Sequence, residues 1–431
     1  MQKIKTIILC LCGWFTLSAL LAGDAPEENK VWSLQDCVAY ALKHNLQVQK
    51  QRLAAEGAVV DRMEARGQFF PDLSAAASTS LTKTGAAETL NESSALTSSA
   101  SLSSGLVVYK GGAQRNALKR SQLNYQWTLL SVEAAEQDIV VGVLEQFMNV
   151  LYARENLKYY QEVAGHSKKQ VEEVQLLFEA GSKTRRDLLD VRAQLSSDEY
   201  VALSAAHLFN QQQTALKQLL ELPVEASFEV DSLPDTLFQS GFLLPGRGEV
   251  FSSALAHRPE MKMQQLGLDM AEIDLKSARS NYLPQLSLSA GLSTHYGDHL
   301  QQAVSLQLKI PLFAGFASRA NLQRRRLALE EQQLEMDNVR NQLLQKIERS
   351  YEDLEAAWAR YRAAEIQEVA AGESYALARE QFALGMLTSI ELLQVREVWL
   401  SAGKEQLQAK YTVLLQRQVL NHFTGGLLGE S

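Results

Sequence analysis

The sequence predicts a mainly α-helical chain with a transmembrane β-barrel part. The expected form is an internally duplicated, long coiled-coil tunnel in which each protomer contributes four strands to a trimeric twelve-stranded barrel. Three observations point there. The phrase FEAGSKTRRDLLDVRAQL, starting at Phe178, recurs as FALGMLTSIELLQVREVW, starting at Phe382, at an offset of 204. A proline-free stretch of 66 residues precedes each copy. Short runs of alternating polarity stand at matching places before those stretches.

Bulk composition narrows the classes. With 46% hydrophobic and 21% charged residues and only 8 prolines, the chain has the material for ordered structure. A net charge of -8 gives no basic footprint for nucleic acid. The Arg324-Arg325-Arg326 run lies beside Glu330 and Glu331 in a helical pattern and reads as a solvated face.

The first 23 residues read as a secretory signal peptide: Lys3 and Lys5, an uncharged apolar run, then Asp24, Glu27 and Glu28, with cleavage after Ala22 or Gly23. That run falls short of the roughly 20 residues of a spanning helix. Cys10 and Cys12 belong to the leader, leaving Cys37 alone and therefore no internal disulfide. No other long apolar segment follows, so membrane insertion, if it occurs, must use strands.

Self-similarity divides the rest. LQDCVAYALKHN from Leu34 resembles EVFSSALAHRPE from Glu249, and Arg66-x-x-Phe69-Phe70-Pro71 matches Arg279-x-x-Tyr282-Leu283-Pro284 at an offset of 213. From Gly111 and Gly315 onward the offset is 204. The two repeats are expected at 24–222 and 249–424, joined by a Pro- and Gly-containing connector at 223–248 and followed by a short tail at 425–431. Ser227–Val230 is a candidate small strand in that connector.

Within each repeat the signals come in one order. A helix over about Ser33–Gln68 stops before Pro71, since proline removes a helical amide donor. Hairpins are expected at 72–109 and 285–313, as strands at about 72–83, 97–109, 285–295 and 302–313. Leu286, Leu288, Ala290 and Leu292, then Val304, Leu306, Leu308, Ile310 and Leu312, alternate with polar residues and so share a face. Leu73, Ala75 and Ala77, and Leu102, Leu106 and Val108, do so more weakly. The period then becomes helical over about 113–178 and 317–382, about 99 Å each at 1.5 Å per residue. Val143, Phe147 and Val150 match Ile347, Tyr351 and Leu354 at coiled-coil spacing.

The repeated phrase then reads as a helix–turn–helix tip. Gly181 and Gly385 supply a positive-φ end to each long helix. Thr184-x-x-Asp187 and Thr388-x-x-Glu391 are capping boxes that start second helices at about 185–222 and 389–422. Four strands cannot close a lipid-embedded ring, for which about eight is the practical minimum. Open edges cannot stand in lipid either, which makes oligomerisation the physical way out.

These features together, with Ala278–Gln285, the IPLFAG segment at Ile310–Gly315 and the FALG-x-x-T-x-x-E-L-L phrase, resemble the outer membrane efflux protein (TolC-like) family over about residues 31–424. The resemblance implies a homotrimer in the outer membrane with a large periplasmic portion, in contact with outer-membrane lipid. It implies an exit duct of a tripartite efflux or type I secretion system. The partners would be a periplasmic adaptor (membrane fusion) protein and an inner-membrane transporter of RND, ABC or MFS type, with no nucleic acid and no cofactor.

Carried onto this chain, the resemblance places a periplasmic gate at Asp187, Glu391, Gln394, Phe382 and Leu387. Gln394 and Leu387 depart from the family's frequent aspartate and its pairing arginine, so that particular latch does not transfer whole. The helix-tip turns and adaptor-docking surface are expected at Gly181, Lys183, Thr184, Arg186, Gly385, Leu387, Thr388 and Ile390. Asp187 and Glu391 have a purely structural reading beside this one, as helix caps. The alternative for the whole chain is a secreted or periplasmic coiled-coil scaffold or adhesin, which leaves the four alternating strands without a purpose. An enzyme is disfavoured: the histidines are scattered, and His295 and His299 fall at a strand end and loop.

Overall fold

The computed structural model describes residues 31–84, 93–223, 225, 227–231, 246–295 and 299–423. The signal peptide, much of the connector and the C-terminal tail expected above lie outside the described residues.

In chain order the elements are β1 (Val31–Trp32), α1 (Leu34–His44), α2 (Leu46–Gly67), β2 (Asp72–Thr84), β3 (Ser93–Lys110), α3 (Ala113–Glu179) and α4 (Arg185–Leu219). There follow β4 (Glu229–Val230), α5 (Arg247–His257), α6 (Pro259–Ser280), β5 (Gln285–His295), β6 (Gln301–Lys309), α7 (Ala317–Ala383) and α8 (Ser389–Phe423). Both long helices have 67 residues and both second helices 35, so the two copies match in element and length.

Two expected element bounds change. The single helix over Ser33–Gln68 is two helices, because the Asn45 side chain accepts from the Gln47 and Val48 amides and starts α2 afresh. Pro259 at the first turn of α6 makes the same break in the second copy. The last strand ends at Lys309 rather than near residue 313, just ahead of Pro311. Ser227–Val230 contributes the two-residue β4, which pairs in parallel with β1.

The chain divides into two compact units. One draws its described residues from 31–41, 142–231 and 364–411. Its fully buried side chains include Val143, Phe147 and Val150, the helical stripe read from the sequence. Trp32 packs on Tyr40 and Phe228 beside the β1–β4 pair.

The other unit draws its described residues from 42–141, 246–363 and 412–423. Its core joins Val250 and Ala254 of α5 to Leu343, Ile347, Tyr351 and Leu354 of α7 and Leu420 of α8. It also carries the four-stranded antiparallel sheet, in the order β2-β3-β5-β6. Register sorts the side chains by face. Leu286 lies opposite Leu308, Leu288 opposite Leu306, and Ala290 opposite Val304, while Ser287, Ser289 and Gly291 oppose Gln307, Ser305 and Ala303 on the other side. Serine hydroxyls bond across the strands of this second face: Ser74 with Ser103 at 2.8 Å, Ser78 with Ser99 at 2.8 Å and Ser289 with Ser305 at 2.7 Å. Val108 does not share the parity expected of it. It is the extra residue of a bulge, and Tyr109 stands opposite Leu286 instead.

Candidate functional site

The two tips are built from the same local chemistry. At the end of α3, Gly181 adopts φ 78°, and the Ser182 and Gly181 amides return to the carbonyls of Leu177 and Phe178. At the end of α7, Gly385 adopts φ 77°, and the Met386 and Gly385 amides return to Gln381 and Phe382. A side chain at either glycine would carry the strain of the left-handed region. Both capping boxes are formed. The Thr184 hydroxyl accepts the Asp187 amide at 3.2 Å while the carboxylate accepts the Thr184 amide at 3.0 Å. The second tip repeats this, with Glu391 to Thr388 at 3.3 Å and Thr388 to Glu391 at 2.9 Å.

These bonds set the carboxyl pKa values. Partial burial works to raise that of Asp187, but the Thr184 hydroxyl and amide, helped by Ser389 and Lys183, outweigh it and hold the group below the ordinary range. Glu391 is fully exposed, and the Thr388 amide and hydroxyl lower its pKa.

Side by side, the tips differ in what they bury. Phe382 is 5% exposed, in a core with Val174, Leu188, Val191, Ala378 and Leu392, whereas its repeat partner Phe178 is 37% exposed. Leu387 packs on that core. Lys183 reaches from the first tip to the second, donating to the Phe382 carbonyl and lying 3.6 Å over its ring. There it also meets the negative C-terminal end of α7. The Ser389 hydroxyl donates to Asp190 at 2.8 Å, and Arg186 lies 3.9 Å from the same carboxylate. Thr184, Arg186, Thr388, Glu391 and Gln394 are exposed. Ile390 is exposed together with Leu384 and Met386, which makes the second tip an apolar surface and leaves the first one polar.

Sequence reading missed the group that binds the two helix pairs beside the tips. Arg396 of α8, Asp198 of α4 and Ser167 of α3 are 3%, 6% and 4% exposed. Arg396 donates to Asp198 at 2.6 Å and to Ser167 at 2.8 Å, Ser167 donates to Asp198 at 2.5 Å, and Gln194 adds a bond to Asp198 at 3.0 Å. A signal was present. Arg396 interrupts the buried series Leu392, Arg396, Leu400 at four-residue spacing, and Asp198 stands a heptad from both Val191 and Ala205. A charge inside an apolar stripe asks for a buried partner. The repeat partner Arg192 instead bonds Gln175 in an exposed position, so duplication hid the difference. Among the described residues no cluster of His, Cys, Asp or Glu is arranged to hold a metal ion.

Taken together, long helices with inter-linked tips and a two-faced sheet whose β2 and β6 are each paired on one side only among the described residues define a mainly α-helical protein with a β-barrel part. A family model described as outer membrane efflux protein matches residues 38–221 and 250–426, and the chain belongs to that family. It is a protein of the cell outer membrane with a large periplasmic part. It is 24% identical over 306 residues to the proteases secretion protein PrtF of Dickeya chrysanthemi, covering 68% of this chain and 65% of that one. It is 26% identical over 325 residues to the alkaline protease secretion protein AprF of Pseudomonas aeruginosa, covering 72% and 67%. The chain thus spans about two thirds of the length of these curated relatives. The crystal structure of CusC superposes with a TM-score of 0.79 at 17% identity, over 94% of this chain and 96% of that one.

Two outcomes follow. A carboxylate with a folded-state pKa below its unfolded value contributes stability above the unfolded pKa, and that contribution is lost as pH falls through the folded one. Amide exchange at the two tips is therefore expected to stay constant from neutral pH down to about 5 and, corrected for intrinsic rates, to quicken below about 4. Separately, Arg396→Met leaves Asp198 buried without its cation. It should destabilise the protein by about 3–5 kcal/mol in denaturant titration, against little for Arg192→Met.

Proposed function

We propose that the chain is the outer-membrane exit duct of a tripartite efflux or type I secretion system, passively conducting substrates delivered by a periplasmic adaptor and an inner-membrane pump. The observation that carries this reading is the sheet. One face gathers the leucines of all four strands with Val304 and Ala290, the other most of the serines with Gly105 and Gly291, and β2 and β6 are each paired on one side only among the described residues. Lipid tolerates neither open edges nor unpaired backbone groups. Three copies supply twelve strands, enough to close a ring with the leucine face in lipid and the serine face around water. The names of PrtF and AprF favour export of proteins, and the resemblance to efflux channels favours small molecules.

In this reading Asp187 and Glu391 act twice, as caps and as acids around the periplasmic constriction. Three copies of Glu391 would make a ring that favours cations, because exposed carboxylates of lowered pKa are charged at neutral pH. The adaptor would dock at the tips, with Leu384, Met386 and Ile390 as its apolar footing. A soluble coiled-coil scaffold would account for the helices but leave the leucine face of the sheet uncovered.

Fractionation and planar-bilayer recording test the main reading. A heat-modifiable, detergent-extracted trimer that conducts ions supports it, and a soluble monomer without conductance overturns it. Leu306→Arg should cost about 2–4 kcal/mol in assembly if the residue lies near the membrane midplane, while Ser305→Arg should assemble normally and change conductance. Glu391→Gln should reduce cation preference in bilayers, and unchanged selectivity would leave that residue a cap alone.

A further inference from the structure

The two copies share one helical register, so a spot where several positions diverge together marks a demand beyond helix packing. One such spot lies beside the tips. At the offset of 204, Lys168, Val171, Gln175 and Leu195 of the first copy give way to Gly372, Tyr375, Arg379 and Trp399 in the second. All four of the second-copy residues line a single cavity of about 270 Å³ between α3, α7 and α8. Val171 and Leu195 are half-buried, so aliphatic side chains already satisfy the helix contacts at two of these positions.

One wall of the cavity is aromatic. Tyr375 and Trp399 stack with ring centroids 4.9 Å apart and planes 12° from parallel. Glycine is a poor residue for a helix interior, yet at 372 it lets the indole lie against α7, since a Cβ there would stand 3.4 Å from Trp399 Nε1. The opposite end is cationic. Arg396 forms the floor, already matched by Asp198. Lys169 and Arg379 stand at the rim, exposed and without an ion pair among the described residues. In the first copy Arg192 donates to Gln175, but Arg379, which replaces that glutamine, offers Arg396 no acceptor. Glu173 supplies the carboxylate of the lining, and Glu368 lies near Gly372, about 16 Å along α7 from Arg379 at 1.5 Å per residue.

We propose that this cavity binds a small planar aromatic monoanion, an arene carboxylate or sulfonate. Its ring lies on the Tyr375–Trp399 stack and its negative group sits between Lys169 and Arg379. A cavity of about 150 Å³ is enough for benzene. The roughly 270 Å³ here therefore admits two fused rings with an acid group. Aromatic faces alone would also draw a cation. Two full positive charges at the rim repel one, and full charges outweigh a ring quadrupole. Occupancy touches α3, α7 and α8 at once, which ties the two helix pairs together beside the tips. The site lies within one chain and does not rest on the channel reading.

Equilibrium dialysis of the purified protein in mild detergent, corrected for uptake by protein-free micelles, tests it. The probes are naphthalene-2-sulfonate, the 2-naphthylmethylammonium cation and inorganic sulfate. The sulfonate should bind saturably, one per chain, and about tenfold or more tighter than the other two. Arg379→Gln and Trp399→Leu each install the residue that the first copy carries at the same place, so the helix contacts accept them. Each should weaken sulfonate binding about tenfold. Absence of saturable binding, or binding that either variant leaves unchanged, overturns the site. Equal affinity for the ammonium overturns the anion assignment, and equal affinity for sulfate overturns the ring contact. Conductance of the same preparation reports separately on the channel reading, which stands if the protein conducts without binding the sulfonate.

Discussion

Backbone hydrogen bonding in lipid is the constraint on which the rest depends. Inside hydrocarbon every amide and carbonyl must find a partner in the protein, and a four-stranded sheet leaves two edges without one. No helix among the described residues is long and apolar enough to cross a membrane.

Duplication also shows which local rules are fixed and which are free to drift. Both tips keep glycine at positive φ and a threonine–carboxylate box, because the chain must reverse tightly between helices and leave no amide unsatisfied. What the tips pack on has diverged. One Phe is sheltered and covered by Lys183, the other is partly open; one Arg is locked on Asp198, the other lies at the surface. A buried Arg–Asp–Ser group contributes little net stability compared with an apolar core of the same shape, yet it enforces one alignment of α3, α4 and α8, since any slip leaves a buried charge without its partner.

Much of the fold was legible because its signals are local and were written twice. Period-two leucines gave the sheet faces, long proline-free stretches gave α3 and α7, and Thr-x-x-Asp and Thr-x-x-Glu gave the helix starts within a residue or two. Less was legible where one side chain overrode a longer pattern. Asn45 restarts a helix that periodicity alone would continue, and a bulge moves Val108 out of register. The Arg396 group was hidden for another reason. Its members sit on three helices, separated by 31 and 198 positions along the chain, and repeat comparison aligned the buried arginine with an exposed one.

The hydroxyl ladder on the inner sheet face has a bearing on traffic. Away from Asp72 and Lys309 at its end, that face is mostly serine, glycine, alanine, threonine and glutamine, so a passage walled by it would be wettable and electrostatically shallow. A solute crossing it exchanges one weak hydrogen bond for the next without falling into a well, and small ions and long unfolded chains alike would feel little friction. Under the proposed function, discrimination among cargoes would fall to the stretch ahead of the sheet, leaving the sheet as a spout.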